Sequence, residues 1–77
     1  MAMIERFSEK RMNKNSIHEG IEATYTVFEH DGRSFVQIDS YGRRTREIPG
    51  KKSQSIQLDR RAGLELLEIL KRTFHVD

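Results

Sequence analysis

The sequence lacks the residues that small domains use as covalent or metal supports. Its 77 residues include no cysteine and no tryptophan, and only one proline and five glycines. Without cysteine the chain can form neither disulfides nor the zinc scaffolds that need thiolate ligands. No cationic region precedes an apolar one, and no run approaches about eighteen apolar residues. We therefore expect a cytoplasmic protein that does not enter a membrane.

The composition limits the size of the core. Hydrophobic residues make up 35% of the chain and charged residues 34%, which suffices for one small domain with a thin core and argues against a deep enzyme-like pocket. Domains of this size often gain stability by association. We therefore expect a homodimer.

The sequence contains no recognisable catalytic or metal-binding motif. His18, His30 and His75 are far apart and lack the spacing that places two imidazoles on one helical face. The serines lack a Gly-x-Ser-x-Gly elbow, and neither a Walker-type loop nor a dinucleotide fingerprint is present. We expect no enzymatic activity, no metal and no cofactor.

Hydrophobic periodicity predicts an N-terminal arm over residues 1–15, followed by one domain over residues 16–77. Alternating apolar positions predict a strand from Ser16 through Val27 with one buried face. Asp31-Gly32 predicts a two-residue hairpin turn. Further strands are predicted over residues 33–40, 43–48 and 53–58, and a helix from its N-cap Asp59 to about Phe74. The predicted fold is α+β: an antiparallel sheet of three to four strands followed by one C-terminal amphipathic helix.

The helix carries an apolar stripe wider than one sheet face can cover. The stripe includes Ala62, Leu66, Leu67, Ile69, Leu70 and Phe74, with Leu64 beyond its edge. We predict a dimer interface that includes Leu64, Leu67 and Phe74. The intramolecular alternative is that the N-terminal arm, with Met3, Ile4 and Phe7, covers the same surface.

Positive charge is concentrated in one part of the chain. The net charge is +2, but residues 43–61 carry seven basic and two acidic residues. Phosphate binding needs several cations on a common surface, which a basic strand-turn-strand can supply. The predicted nucleic-acid-binding cations are Arg43, Arg44, Arg46, Lys51, Lys52 and Arg60. The alternative is a solvated basic loop without a ligand.

Two aromatic residues, Phe35 and Tyr41, favour binding of a single-stranded nucleic acid. In the second strand Val36 and Ile38 point one way, whereas Phe35, Gln37, Asp39 and Tyr41 point the other. Exposed rings on that second face can stack on unpaired bases while cations hold the backbone. The alternatives are that Phe35 belongs to the core or to a dimer contact, since a one-residue register error inverts every assignment.

Two blocks of the sequence resemble known proteins. Residues 35–42 and 46–59 are similar to short bacterial proteins of unassigned function, some of which carry a methionyl-tRNA formyltransferase label. A chain of 77 residues without a formyl-folate pocket or an Asn/His/Asp catalytic group cannot be that enzyme.

The strand order and the terminal helix resemble the C-terminal domain of positive cofactor four and its Whirly relatives over residues 16–74. Gly50, Lys51, Ile56 and Leu58 match the family's Gly-Lys/Arg-x-x-Ile-x-Leu pattern, but with extra residues after Lys52. This resemblance implies dimerisation through the helix and single-strand binding on a curved sheet.

A three-stranded sheet with one helix, as in plant-type and integrase-arm DNA-binding domains, is the other fold considered. It would place Arg43, Arg44 and Arg46 in a major groove, and it differs in whether Ile17 to Ile21 is a paired strand. We expect a nucleic-acid-binding module, with single-stranded DNA or RNA first. The alternatives are a non-enzymatic protein-interaction or structural homodimer, and duplex DNA binding by a three-stranded sheet.

Overall fold

A computed structural model describes residues 1–42 and 52–77 of the chain. The elements within these residues are β1 (Ala2–Ile4), β2 (Ala23–His30), β3 (Arg33–Tyr41), β4 (Lys52–Leu58) and α1 (Arg60–Thr73). The predicted α+β fold, a four-stranded sheet followed by one C-terminal helix, is confirmed.

The strand order is β1-β4-β3-β2. β2 and β4 both pair with β3 in the antiparallel sense, whereas β1 pairs with β4 in the parallel sense. The expectation of a wholly antiparallel sheet is therefore wrong. Two strands that neighbour each other in the parallel sense need a long connection, and β2 and β3 both lie within the chain between β1 and β4.

The first strand of the hairpin is shorter than its sequence pattern predicts. β2 starts at Ala23, opposite Ser40, and Ile17 and Ile21 precede it. β3 ends at Tyr41, whose N–H donates to the Glu22 carbonyl at 3.2 Å, so earlier residues have no opposite position in β3. Among the described residues a further strand, β1, lies within the predicted arm. The predicted strand over residues 43–48 lies outside the described residues.

The predicted turn at Asp31-Gly32 is confirmed. The φ angles of Asp31 and Gly32 are 51° and 74°, and two consecutive positive φ angles are typical of the type I′ turn that joins twisted antiparallel strands. Asp and Gly tolerate this left-handed region better than most residues. The turn aligns His30 with Arg33 and so fixes the pairing along the whole hairpin.

Register divides the sheet into two chemically different faces. Residues directly opposite one another share a face, and Val27, Val36 and Leu58 lie in one such row. We call their side of the sheet the apolar face; it also carries Tyr25, Ile38 and Ile56. The opposite side, the polar face, carries Thr24, Thr26, Gln37, Asp39, Ser55 and Gln57.

Helix α1 packs against β3 and β4. Ala62 is fully buried, and Leu66 and Ile69 are half-buried on the same side of the helix. The predicted N-cap is confirmed, because the Asp59 carboxylate accepts a hydrogen bond from the Ala62 N–H at 2.9 Å. Its other oxygen lies 3.6 Å from the Arg33 guanidinium.

The cap and the ion pair of Asp59 can be separated by substitution. Asp59→Ala removes both, and we expect the free energy of unfolding to fall by about 1 kcal/mol. Asp59→Asn keeps a side-chain oxygen for capping and removes only the charge, so we expect nearly wild-type stability because exposed ion pairs contribute little. Urea unfolding of the three proteins measures both effects, and an equal loss in both variants would contradict the assignment to capping.

Candidate functional site

The structure describes five of the nine predicted nucleic-acid-binding residues and places them at two separate positions. Phe35, Gln37 and Tyr41 share the polar face, and Lys52 lies opposite Tyr41 at the end of β4. Arg60 lies beyond the other end of β4, so the length of that strand, about 20 Å, separates it from Lys52. Arg43, Arg44, Arg46 and Lys51 lie outside the described residues.

A hydrogen-bonded cluster occupies the centre of the polar face. The Asp39 side chain is buried, with 3% of the residue exposed. Its carboxylate accepts hydrogen bonds from the Ser55 hydroxyl and, at 3.0 Å, from the Gln37 amide. The Lys52 ammonium lies 3.3 Å from its second oxygen. Every buried side-chain polar atom of the described residues has a partner, so this cluster is internally satisfied.

These contacts lower the pKa of Asp39 below its ordinary value of 3.8. The Ser55 hydroxyl makes the largest contribution by donating to the ionised carboxylate, and Gln37 and Lys52 add to it. Burial of the carboxyl group opposes the shift by disfavouring the charge. The ionised form is therefore the form that the fold stabilises.

The cluster continues across the sheet through two amide side chains. Gln57 donates a hydrogen bond of 2.9 Å to the Gln37 carbonyl oxygen, and these two residues lie directly opposite each other. The row that begins at Lys52 thus leads through Asp39 and Gln37 to Gln57. Among the described residues the helix lies over the apolar face, which leaves this row of polar groups on the other side.

The expectation that Phe35 is an exposed ring is wrong. Only 7% of Phe35 is exposed, because its ring stacks on Phe28 with centroids 5.4 Å apart and lies under the Arg33 guanidinium at 5.1 Å. Aromatic stacking and the cation–π contact both involve this ring and help to bury it. Phe35 is therefore part of a packed aromatic cluster and offers no free surface to a base.

Tyr41 lies in a more open position on the same face. It is half-buried, and its hydroxyl lies 2.9 Å from the Thr24 hydroxyl. Its partner across the sheet is Lys52, where the register shifts by a β-bulge. A tyrosine and a lysine are thus cross-strand partners at the point where β3 ends and β4 begins.

Several features of the site had no clear signal in the sequence. The alternation of Gln37 with Asp39 and of Ser55 with Gln57 places these residues on one face, but their pairing depends on the offset between β3 and β4. The intervening segment sets that offset, and its length does not reveal it.

The described residues contain no group of three or more metal-ligating side chains. Within those same ranges, no helix is long and apolar enough to cross a membrane.

Removal of the Ser55 hydroxyl tests the origin of the Asp39 shift. In Ser55→Ala we expect the Asp39 pKa to rise towards its ordinary value, as measured by NMR titration of the side-chain carboxyl carbon. A carboxyl group whose pKa is lower in the folded protein than in the unfolded chain stabilises the fold at a pH above the unfolded-state pKa. That stability is lost as the pH falls through the folded-state pKa. The variant should therefore begin to lose stability at a higher pH than the wild type. Ser53→Ala, at an exposed position of β4, is the control and should leave the titration unchanged.

Comparisons of the chain with protein-family models, with curated proteins and with solved structures find no match in any of the three.

Proposed function

We propose that this protein is a cytoplasmic nucleic-acid-binding module that takes single-stranded DNA or RNA along the polar face of its sheet. The observation that carries the proposal is the position of Tyr41 and Lys52. Tyr41 ends β3 and Lys52 begins β4, and residues 42–51 join the two strands along the chain. That segment contains four basic residues and one acidic residue. The polar face therefore ends where the most basic part of the sequence is attached.

The chemistry of the polar face suits a flexible, unpaired strand. Single-strand binding combines cations that follow the phosphates with rings on which bases stack. Lys52 has three ammonium donors, and its contact with Asp39 leaves donors for a phosphate oxygen. Tyr41 supplies the ring, and Gln37 and Gln57 supply amide groups that can exchange their mutual hydrogen bond for bonds to base edges.

Duplex DNA is the second candidate ligand, and one observation favours it. The single-strand-binding fold and the three-stranded duplex-binding fold differ in whether the segment from Ile17 to Ile21 is a paired strand. This segment lies outside the strands. β2, β3 and β4 form the antiparallel part of the four-stranded sheet, and α1 packs on β3 and β4. A β-sheet can enter a major groove and read base edges there.

A role as a non-enzymatic interaction protein or structural homodimer is compatible with either ligand. The exposed apolar residues of α1 favour it. Nucleic-acid binding would use the polar face, whereas association of two chains would use the opposite side of the sheet. The two can therefore be tested separately.

The basic segment is tested by a salt series with labelled oligonucleotides. We expect Arg43→Ala/Arg44→Ala to weaken binding to all sequences. Each lost phosphate contact should flatten the slope of log affinity against log salt by about 0.7 for a single strand and about 0.9 for a duplex. Fluorescence anisotropy with one single-stranded and one duplex oligonucleotide of the same sequence measures both slopes and shows which ligand binds more tightly.

The control is Lys10→Ala/Arg11→Ala, which removes two cations from exposed positions outside the sheet. It lowers the net charge equally and should leave the slope unchanged. Equal losses in the two double variants would show a general charge effect and contradict a site at residues 43–51. Absence of binding by the wild type at low salt would overturn the proposed function.

Base stacking on Tyr41 is tested by a pair of substitutions. Tyr41→Ala should cost about 1–3 kcal/mol of single-strand affinity. Tyr41→Phe keeps the ring and removes only the contact with Thr24, so its affinity should stay near that of the wild type. Anisotropy titrations at one fixed salt concentration give both values. Equal losses in the two variants would show that the hydroxyl, and not stacking, is responsible.

A further inference from the structure

Large apolar side chains remain exposed along one flank of α1 and on the neighbouring edge strand. They are Tyr25, Val27, Leu64, Leu67, Leu70 and Phe74, and we call them the exposed apolar surface. The exposed fraction is 74% for Tyr25 and 68% for Phe74. The sequence predicted that Tyr25 and Val27 lie on a buried face, and within a single chain this prediction is wrong.

A groove connects the strand and the helix parts of this surface. Its volume is about 810 Å³, and its lining includes Val27 and Val36 from the apolar face and Gly63 and Leu64 from the helix. A Cβ atom at the position of Gly63 would meet nothing within 4 Å, so this side of the helix is open. Two of the six side chains, Val27 on β2 and Leu64 on α1, therefore border the same depression.

The N-terminal arm lies on a different flank of the helix. The Phe7 N–H donates a 2.8 Å hydrogen bond to the Glu65 carboxylate, and Phe7 lines a cavity with Ile69 and Arg72. On an α-helix these positions are turned well away from Leu67 and Phe74. Leu64 lies at the border, because it also lines a cavity with Phe7. The intramolecular alternative that the sequence left open thus leaves Leu67, Leu70 and Phe74 uncovered.

The widths of the elements show how much of the sheet is left uncovered. One helix is about 10 Å wide and neighbouring strands are about 4.8 Å apart, so a helix covers roughly two strands. α1 packs on β3 and β4. The apolar face of β2, the edge strand next to β3, is therefore left without a helix of its own chain over it.

The total exposed area is larger than that of a compact monomer of this size. The chain exposes 7409 Å², whereas a folded monomer of 9.1 kDa is expected to expose about 4,900 Å². Part of the excess belongs to residues 8–22, which are exposed throughout and lie outside the helix and the strands. A standard stable interface removes about 800 Å² from each partner, and the exposed apolar surface offers area of the kind that such an interface buries.

We propose that a second copy of this chain covers the exposed apolar surface, with its own α1 over β2 and beside the first α1. In a two-fold arrangement the helix of each copy covers β2 of the other copy, and both copies use the same exposed apolar surface. Leu70 and Phe74 then face the neighbouring helix, while Leu67 and Leu64 approach the partner's sheet.

Light scattering of the protein without nucleic acid tests this arrangement at micromolar concentration. The wild type should have twice the 9.1 kDa mass of the chain. Leu67→Glu, which buries an unpaired charge only in the dimer, should raise the dimer dissociation constant about a hundredfold or more and return the mass to that of one chain. Ile17→Glu is the matched control, because Ile17 is fully exposed and lies outside the surface; its mass should stay that of a dimer.

Val27→Thr is a second variant that keeps the test valid if Leu67→Glu does not fold. Threonine suits an exposed strand position and has nearly the shape of valine, so the circular dichroism spectrum should not change. The dimer dissociation constant should rise. A wild-type mass of one chain would overturn the proposal, as would a dimer whose dissociation constant is the same in Val27→Thr. Because no oligonucleotide is present, these results do not depend on the proposed function.

Discussion

The position of β3 between β2 and β4 is the constraint on which both surfaces of the protein depend. Side chains alternate along each strand, so the register of β3 decides which residues meet the helix. With Val36 between Val27 and Leu58, aliphatic groups collect on the helix side. A slip of one residue would place Asp39 against the helix instead. The hydrogen bonds from Ser55 to Asp39 and from Gln57 to Gln37 cross between β4 and β3, so they exist only in the observed register and favour it.

The parts of the fold that local chemistry determines could be predicted from the sequence. The Asp31-Gly32 turn, the alternation of β3 and the Asp59 cap each depend on residues within a few positions of one another. The extent of β2 and the pairing of β1 depend on distant partners. Ile17 and Ile21 continue the alternation of β2 but have no opposite residues in β3, and the three residues of β1 are too few to show a period.

In the candidate site, too, some features follow from local sequence and others depend on distant residues. Alternation alone placed Gln37 and Tyr41 on one face, and register confirms it. The burial of Phe35 could not be read from alternation, because it results from a ring on another strand and a guanidinium two residues away. A face that is polar in sequence can therefore contain its own small aromatic core, and the exposure of a ring depends on its neighbours as well as on its side of the sheet.

The pairing of β1 with β4 has a consequence for how the sheet is completed. Ala2 lies opposite Ile56, so the two strands come from nearly opposite ends of the sequence. Closing so large a loop is entropically expensive, whereas the β2–β3 hairpin closes locally. During synthesis the hairpin can form early, but β1 has no partner until β4 has been made. Only three residues then hold this edge, which makes β1 the strand that detaches at the lowest cost in free energy and briefly uncovers the backbone amides of β4.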